Sequence, residues 1–170
     1  MDRLDAPGLS IDYRGDPSLP YGDTATRTAE PFKFVIFHYT GLTVPFRDLV
    51  EYTLRVDEAR DGQFGYHFVL DSDGTIVQTA PLTKRTNHIR TNPEIGASDA
   101  NAIGISLHMA REEPTAAQLE AATALTLVLS KTFNIRPPNH FGHGEINAHK
   151  DPNEGITLAR RFRGSPRIRW

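Results

Sequence analysis

Residues 32–39 read FKFVIFHY, a short run of aromatic and β-branched side chains that ends in a histidine and a tyrosine. This composition is typical of a buried β-strand. In a regularly pleated strand, His38 lies on the same side as Phe34 and Ile36. A histidine there is either a hydrogen-bonded core residue or a candidate metal ligand, and the strand alone leaves both interpretations open.

Four further strands are predicted around this one. Residues 63–80, QFGYHFVLDSDGTIVQTA, are typical of two strands joined at Asp73-Gly74, which is a hairpin signal. Residues 102–108 form another strand with its isoleucines and leucine on one face. A short last strand covers about 139–143. The pattern predicts a single α/β domain.

Two helices complete the predicted elements. Apolar residues spaced from Phe46 to Leu54 indicate a helix with Thr43 near its cap. Thr115 and Gln118 form a capping-box signature that opens a long helix to about Asn134. The apolar stripe of this second helix predicts packing against the sheet.

The chain divides into three segments by composition. Residues 1–30 are rich in Pro, Gly, Asp and Thr and are expected to form an extended arm, whereas residues 31–159 form the domain. Residues 160–170 are a basic tail, interpreted either as a solvated end or as a patch attracted to an anionic envelope. Its arginines are Arg160, Arg161, Arg163, Arg167 and Arg169.

Composition excludes several classes of function. The net charge of −2 argues against a general nucleic-acid binder, and the absence of cysteine removes disulfides, thiol nucleophiles and cysteine-based zinc sites. No apolar run approaches the ~20 residues that span a bilayer. The first residues lack the basic flank and apolar stretch of a secretory signal, so we expect synthesis in the cytoplasm without a cleaved signal.

Residues 142–152, GHGEINAHKDP, contain further candidate metal ligands. His143 follows a short strand, and Asp151 lies across a loop that could fold back towards it. Together with His38 they would make two histidines and one carboxylate. This is an open zinc set in which three protein ligands leave a fourth position for water. Such a site activates water and polarises a carbonyl oxygen.

Four segments in order make the chain resemble the type 2 N-acetylmuramoyl-L-alanine amidases. This group includes T7-lysozyme-like enzymes and peptidoglycan recognition proteins. The segments are FVIFHYT, FGYHFVLDSDGTIVQ, NAIGISLHM and GHGEINAHKDP. The resemblance runs from about Phe32 to Gly155. It implies a central mixed β-sheet of about five to six strands flanked by helices, and a zinc (Zn²⁺) cofactor.

Carried over by position, the resemblance implies His38, His143 and Asp151 as the zinc ligands. Glu154 competes with Asp151 because the loop varies in length among relatives. The family tyrosine falls on Tyr66, whose phenol would orient or help deprotonate the attacking water, or stabilise the developing oxyanion.

One position departs from the family pattern. Many hydrolytic members have a lysine two residues before the third ligand, where this chain has His149, with Lys150 displaced by one. We expect His149 slightly ahead of Lys150 in the catalytic role of that lysine. His88 matches a region that lines the substrate groove, and Asn101 is expected to fix a loop or contact substrate.

The predicted reaction is hydrolysis of the amide between N-acetylmuramic acid and L-alanine in peptidoglycan, by a monomer. A phage endolysin acting on the cell wall after release is the first expected setting, and a cytoplasmic muropeptide-recycling amidase is the second. A binding module without hydrolysis is the alternative class, kept open by the displaced lysine. A zinc peptidase or deacetylase of another family fits the ligand types but not the order of the four segments.

Overall fold

The computed structural model describes residues 1–18, 31–54, 56–57, 62–63, 65–89, 91–108 and 113–164. Within these residues the strands are β1 (Ile11–Tyr13), β2 (Phe34–Tyr39), β3 (Val56–Asp57), β4 (Gly62–Gln63), β5 (Phe68–Leu70), β6 (Ile76–Gln78), β7 (Ala102–Leu107) and β8 (His140–Gly142). The α-helices are α1 (Phe46–Thr53), α2 (Ala116–Phe133), α3 (His143–Ile146) and α4 (Ile156–Arg163).

Six of these strands form one mixed sheet in the spatial order β1-β6-β5-β7-β2-β8, which confirms the predicted fold class. Only β5 and β6 pair in the antiparallel sense within this sheet, and they are the two strands predicted to join around Asp73-Gly74. The other neighbours are parallel. Parallel strands bring their carboxyl ends to the same edge of a sheet, which is where α/β folds bind ligands.

Strand β2 divides its side chains between two apolar layers. Val35 and Phe37 belong to the larger core, which contains the buried faces of α2 and α4. Phe34 and Ile36 belong to a smaller cluster on the other face of the sheet. Because side chains alternate along a strand, His38 is carried to the face of the smaller cluster, as the pleat predicts.

The long helix begins as predicted, and the short one begins later than predicted. The Thr115 hydroxyl accepts a hydrogen bond from the Gln118 backbone N–H at 3.0 Å, and the Gln118 side chain accepts one from the Thr115 N–H at 3.1 Å. Helix α1 is preceded by Pro45 rather than capped by Thr43, because the fixed φ of proline suits the start of a helix. No helix in the described part of the chain combines the length and apolar character needed to cross a bilayer.

Parts of both terminal segments pack against the domain within the described residues. Leu4 and Ile11 are buried in the larger core, and β1 pairs with β6 at the edge of the sheet. The proposed boundary at residue 159 lies within α4, because Leu158 and Phe162 are buried on one side of that helix. Residues 19–30 of the expected arm and 165–170 of the expected tail lie outside the described residues.

Candidate metal centre

Three buried side chains bring one donor atom each to a single point. The Nδ1 atoms of His38 and His143 are 3.1 Å apart. The Oε1 atom of Glu154 lies 3.3 Å from Nδ1 of His38 and 3.2 Å from Nδ1 of His143. All three residues are buried, and they form the one group of potential metal ligands found among the described residues.

The two histidines meet because their strands are parallel neighbours. Strands β2 and β8 pair with Phe37 opposite Gly142. The next residue after each of these two is a histidine, so both histidines lie at the same end of the sheet. His143 is also the first residue of α3, so its side chain turns towards His38 where the strand gives way to the helix.

The carboxylate beside the histidines is that of Glu154 and not that of Asp151. Asp151 starts a tight turn in which its backbone oxygen accepts a hydrogen bond from the Glu154 N–H at 2.9 Å. Its own carboxylate is exposed and accepts a hydrogen bond from the Tyr39 hydroxyl at 2.8 Å. The structure thus corrects the expectation that Asp151 stands beside His38 and His143.

A glycine allows the chain to turn so that Glu154 enters the site. Gly155 has a φ of +76°, a left-handed conformation that other residues adopt at a cost. A Cβ atom at this position would also collide with the backbone oxygen of Phe37. The chain therefore passes directly against β2 just after Glu154, and the longer side chain of glutamate reaches the histidines.

The charge state of the group suits a cation. Burial lowers the pKa of His38 to about 4, although its hydrogen bond with Glu154 opposes this shift. Burial alone would raise the pKa of Glu154, but hydrogen bonds and charge interactions with His143 and His38 outweigh it and bring the pKa to about 2. At neutral pH the group therefore offers a neutral imidazole and a carboxylate, the protonation states in which these side chains bind metal ions.

The spacing of the donor atoms fits a tetrahedral zinc ion. Ligands at the usual zinc distance of about 2.0–2.1 Å lie about 3.3–3.4 Å from one another at tetrahedral angles. The three separations here, 3.1, 3.2 and 3.3 Å, are close to that edge length. Two histidines with one glutamate make a zinc set that leaves one position open.

Two cavities border members of this group, and Tyr66 lines both of them. The first has a volume of about 810 Å³ and is bordered by His143, His149 and Lys150. The second has a volume of about 1140 Å³ and is bordered by Glu154 and Lys150. Each is large enough to hold a fragment of a substrate next to the group.

Tyr66 packs directly against the first histidine. Its ring centroid is 4.7 Å from that of His38. Burial, followed by the negative charge of Glu154, raises the pKa of the Tyr66 phenol to about 12. The phenol is therefore protonated at neutral pH.

His149 and Lys150 are both exposed, but only Lys150 is connected electrostatically with the metal centre. The positive charge of Lys150 contributes to the lowered pKa of His38. Lys150 also lines both cavities, whereas His149 lines only the first. The backbone N–H of His149 donates to the side chain of Asn147 at 3.0 Å, and this bond helps to set the loop.

His88 and Asn101, the two residues named as candidates for substrate contact, have side chains that interact with the protein itself. The His88 side chain has 0% exposure and lies behind His38. The side chain of Asn101 accepts a hydrogen bond from the Ser98 N–H at 2.9 Å and donates one to the Gly96 oxygen at 2.9 Å. Both side chains are thus used inside the protein, and the contact between His88 and His38 was not foreseen from the sequence.

The fold is similar to that of several solved structures. It aligns with the endolysin N-acetylmuramoyl-L-alanine amidase LysCS of Clostridium intestinale URNW with a TM-score of 0.64 and 20% identity, covering 89% of this chain and 93% of that one. It aligns with a selenomethionine derivative of AmpD with a TM-score of 0.67 and 22% identity, covering 90% and 92%. Human PGRP-IβC aligns with a TM-score of 0.65 and 21% identity, covering 97% and 100%.

Sequence comparison identifies the family. A search among curated proteins gave no match. The profile of the N-acetylmuramoyl-L-alanine amidase family, in contrast, matches residues 28–154. This range contains β2, the strand that carries His38, and extends to Glu154. With most of its length matched, and with the sheet seen in solved amidases, the chain belongs to the N-acetylmuramoyl-L-alanine amidase family.

Proposed function

We propose that this protein is a zinc-dependent N-acetylmuramoyl-L-alanine amidase that cleaves the bond between the lactyl group of N-acetylmuramic acid and the L-alanine of the stem peptide. The observation that carries the proposal is the triangle of donor atoms from His38, His143 and Glu154, which two cavities border. Family membership supplies the substrate class.

In this proposal His38, His143 and Glu154 hold the ion. When bound, zinc supplies an acidified water molecule and polarises the scissile carbonyl. The reaction adds the oxygen of water to the carbonyl carbon and breaks the carbon–nitrogen bond. The lactyl side then leaves as a carboxylate, and the peptide leaves with a free amino group on L-alanine.

Tyr66 acts as a hydrogen-bond donor to the oxygen that becomes negative during the reaction. Its phenol is protonated at neutral pH, and its ring lies against His38 and lines both cavities. A donor fixed in a largely buried site stabilises developing charge better than water does, because it needs little reorganisation. The role of proton acceptor suits Tyr66 less well, since a phenol with a raised pKa seldom ionises at neutral pH.

Lys150 takes the role of the displaced family lysine. Its positive charge already acts on His38, where it helps to lower the pKa. Lys150 also borders both cavities, so it can approach a substrate bound in either of them. His149 is the weaker candidate because it borders only one cavity.

The test is incubation of the purified protein with peptidoglycan, followed by chemical detection of new end groups. We expect new L-alanine amino termini and no new reducing sugar ends. Chelation should abolish the release, and addition of zinc should restore it. Retention of the protein on insoluble wall material without any soluble product would instead make it a binding module.

The biological setting is proposed to be that of an endolysin. The similarity to LysCS supports this setting, and the similarity to AmpD is the reason to test a second one. Human PGRP-IβC was solved with glycosamyl muramyl pentapeptide, so this fold can accept a glycan joined to a peptide. Faster cleavage of polymeric wall than of small anhydro-muropeptides would support the endolysin, and the reverse order would favour muropeptide recycling.

A further inference from the structure

A third imidazole lies directly behind the first proposed ligand. The Nδ1 atom of His88 is 3.1 Å from Nε2 of His38, which is the ring nitrogen opposite the one that faces His143 and Glu154. His88 borders the first cavity, but its side chain has 0% exposure and is covered by the surrounding protein. Its interactions are therefore with the interior of the protein.

The hydrogen bonds of His88 fix the positions of the protons on both rings. Its Nε2 atom is 3.3 Å from the backbone oxygen of Ala102, which can only accept, so Nε2 carries the proton. The ring is fully buried and its Nδ1 atom faces another imidazole nitrogen, so the neutral form is favoured over a charged imidazolium. Its Nδ1 atom is then an acceptor, and the partner nitrogen, Nε2 of His38, must be the donor.

This arrangement leaves the other nitrogen of His38 free to bind a metal ion. With the proton held on Nε2, Nδ1 of His38 presents a lone pair towards His143 and Glu154. The same hydrogen bond also fixes the rotation of the His38 ring. In metal sites, outer partners that hold a ligating histidine in this way commonly change metal affinity by about 10- to 100-fold.

Strand β7 provides the space for the His88 ring. A Cβ atom at Gly104 would lie 2.9 Å from Nδ1 of His88 and 3.0 Å from its Cγ atom. Those distances are too short for a carbon atom against a ring packed in the core. The absence of a side chain at Gly104 is therefore required for His88 to reach His38.

We infer that His88 is a positioning residue for the metal centre: its Nδ1 atom holds the proton on Nε2 of His38 and so prepares Nδ1 of His38 for the cation. The inference rests on the proposed function, because it assumes that His38, His143 and Glu154 bind zinc. It concerns a contact inside the protein and assigns the His88 side chain no contact with substrate.

Two substitutions of nearly identical shape separate this role from simple packing. His88→Asn and His88→Leu both remove the ring and its bond to Ala102, but only asparagine keeps an acceptor close to the place of Nδ1. The zinc dissociation constant of the full-length protein is measured by competition with a chromophoric chelator. We expect His88→Leu to weaken binding by about 10- to 100-fold, and His88→Asn to remain within a few-fold of the parent.

A second way to disturb the contact between His88 and His38 is Gly104→Ala. This substitution leaves His88 unchanged but places a Cβ atom against its ring. It should weaken zinc binding in the parent protein but add little in the His88→Leu background, because contacting residues are not additive. Thermal unfolding in the presence of chelator is measured for every variant, and it separates loss of stability from loss of affinity.

The possible outcomes are distinct. If the parent protein binds no zinc, the proposed function fails before the inference is reached. If the parent binds zinc and the leucine and asparagine variants weaken binding equally, or neither does, His88 has only a packing role and the inference is overturned. A selective defect in His88→Leu that asparagine rescues supports it.

Discussion

The Nδ1 atoms of His38 and His143, which are 105 residues apart in the chain, lie 3.1 Å from each other in a buried site. Two nitrogen lone pairs at that distance repel unless a proton or a cation lies between them. The carboxylate of Glu154 adds a negative charge at the same point. A divalent cation would satisfy all three atoms at once, and the spacing of the atoms matches tetrahedral zinc.

The first prediction concerns which carboxylate binds the metal. Glu154→Ala should lower zinc affinity by more than about 100-fold, because a direct ligand contributes more than an outer partner does. Asp151→Ala is the matched control, since it also removes a carboxylate from this loop. That carboxylate accepts a hydrogen bond from Tyr39 and does not contact the histidines. Zinc content after dialysis, measured by elemental analysis, checks both. Loss of zinc from the Asp151 variant with retention in the Glu154 variant would reverse the assignment.

The second prediction concerns the phenol of Tyr66. Tyr66→Phe removes the hydrogen-bond donor but keeps the ring that packs against His38. We expect kcat to fall by about 100- to 1000-fold, the range found when one donor to a developing oxyanion is removed. Zinc content should stay at the parent level. An unchanged kcat would show that Tyr66 serves only as packing.

The third prediction distinguishes Lys150 from its neighbour. Lys150→Met keeps most of the length of the side chain and removes the charge, so kcat/KM should fall by roughly 10- to 100-fold through lost charge stabilisation. His149→Gln should change kcat/KM by less than about threefold, since its side chain borders only one cavity. Rates of release of L-alanine amino termini from peptidoglycan measure both. A larger defect in the His149 variant would return the catalytic role to that residue.

The sequence predicted five of the six strands of the sheet and two of the three donors, because these depend on local patterns, whereas β1 lies in the segment expected to be an arm. Alternation along β2 placed His38 on its face of the sheet, and the short strand before His143 placed the second imidazole. The third donor depended on the turn between Asp151 and Gly155. A turn of that kind decides which of two carboxylates points inward, and hydrophobic periodicity carries no information about it.

The position of His88 could not be read from its own segment either. Its side chain is brought behind His38 by a loop between β6 and β7, and the space for its ring is created by Gly104 on β7. The contact thus joins three segments that are distant in sequence. The amidase resemblance indicated the region of His88, but only the packed structure shows that its side chain faces inward.

The last prediction concerns the pH dependence of the metal-free protein. His38 has a pKa of about 4 in the folded state against an ordinary value of 6.5, and Glu154 has a pKa of about 2 against 4.5. For both groups the unfolded chain binds protons that the folded chain does not, so the free energy of unfolding must fall as the pH falls. The contribution of His38 is complete above pH 6.5 and is lost towards pH 4, and that of Glu154 is lost between pH 4.5 and 2. One such proton accounts for at most about 1.4 kcal/mol per pH unit.

Denaturant unfolding in the presence of chelator, from pH 7 to 4, measures how steeply the free energy of unfolding falls with pH, with His38→Gln as the control. The control should decline less steeply than the parent over this window, and equal slopes would mean that the burial of neutral His38 is not the source of the acid sensitivity.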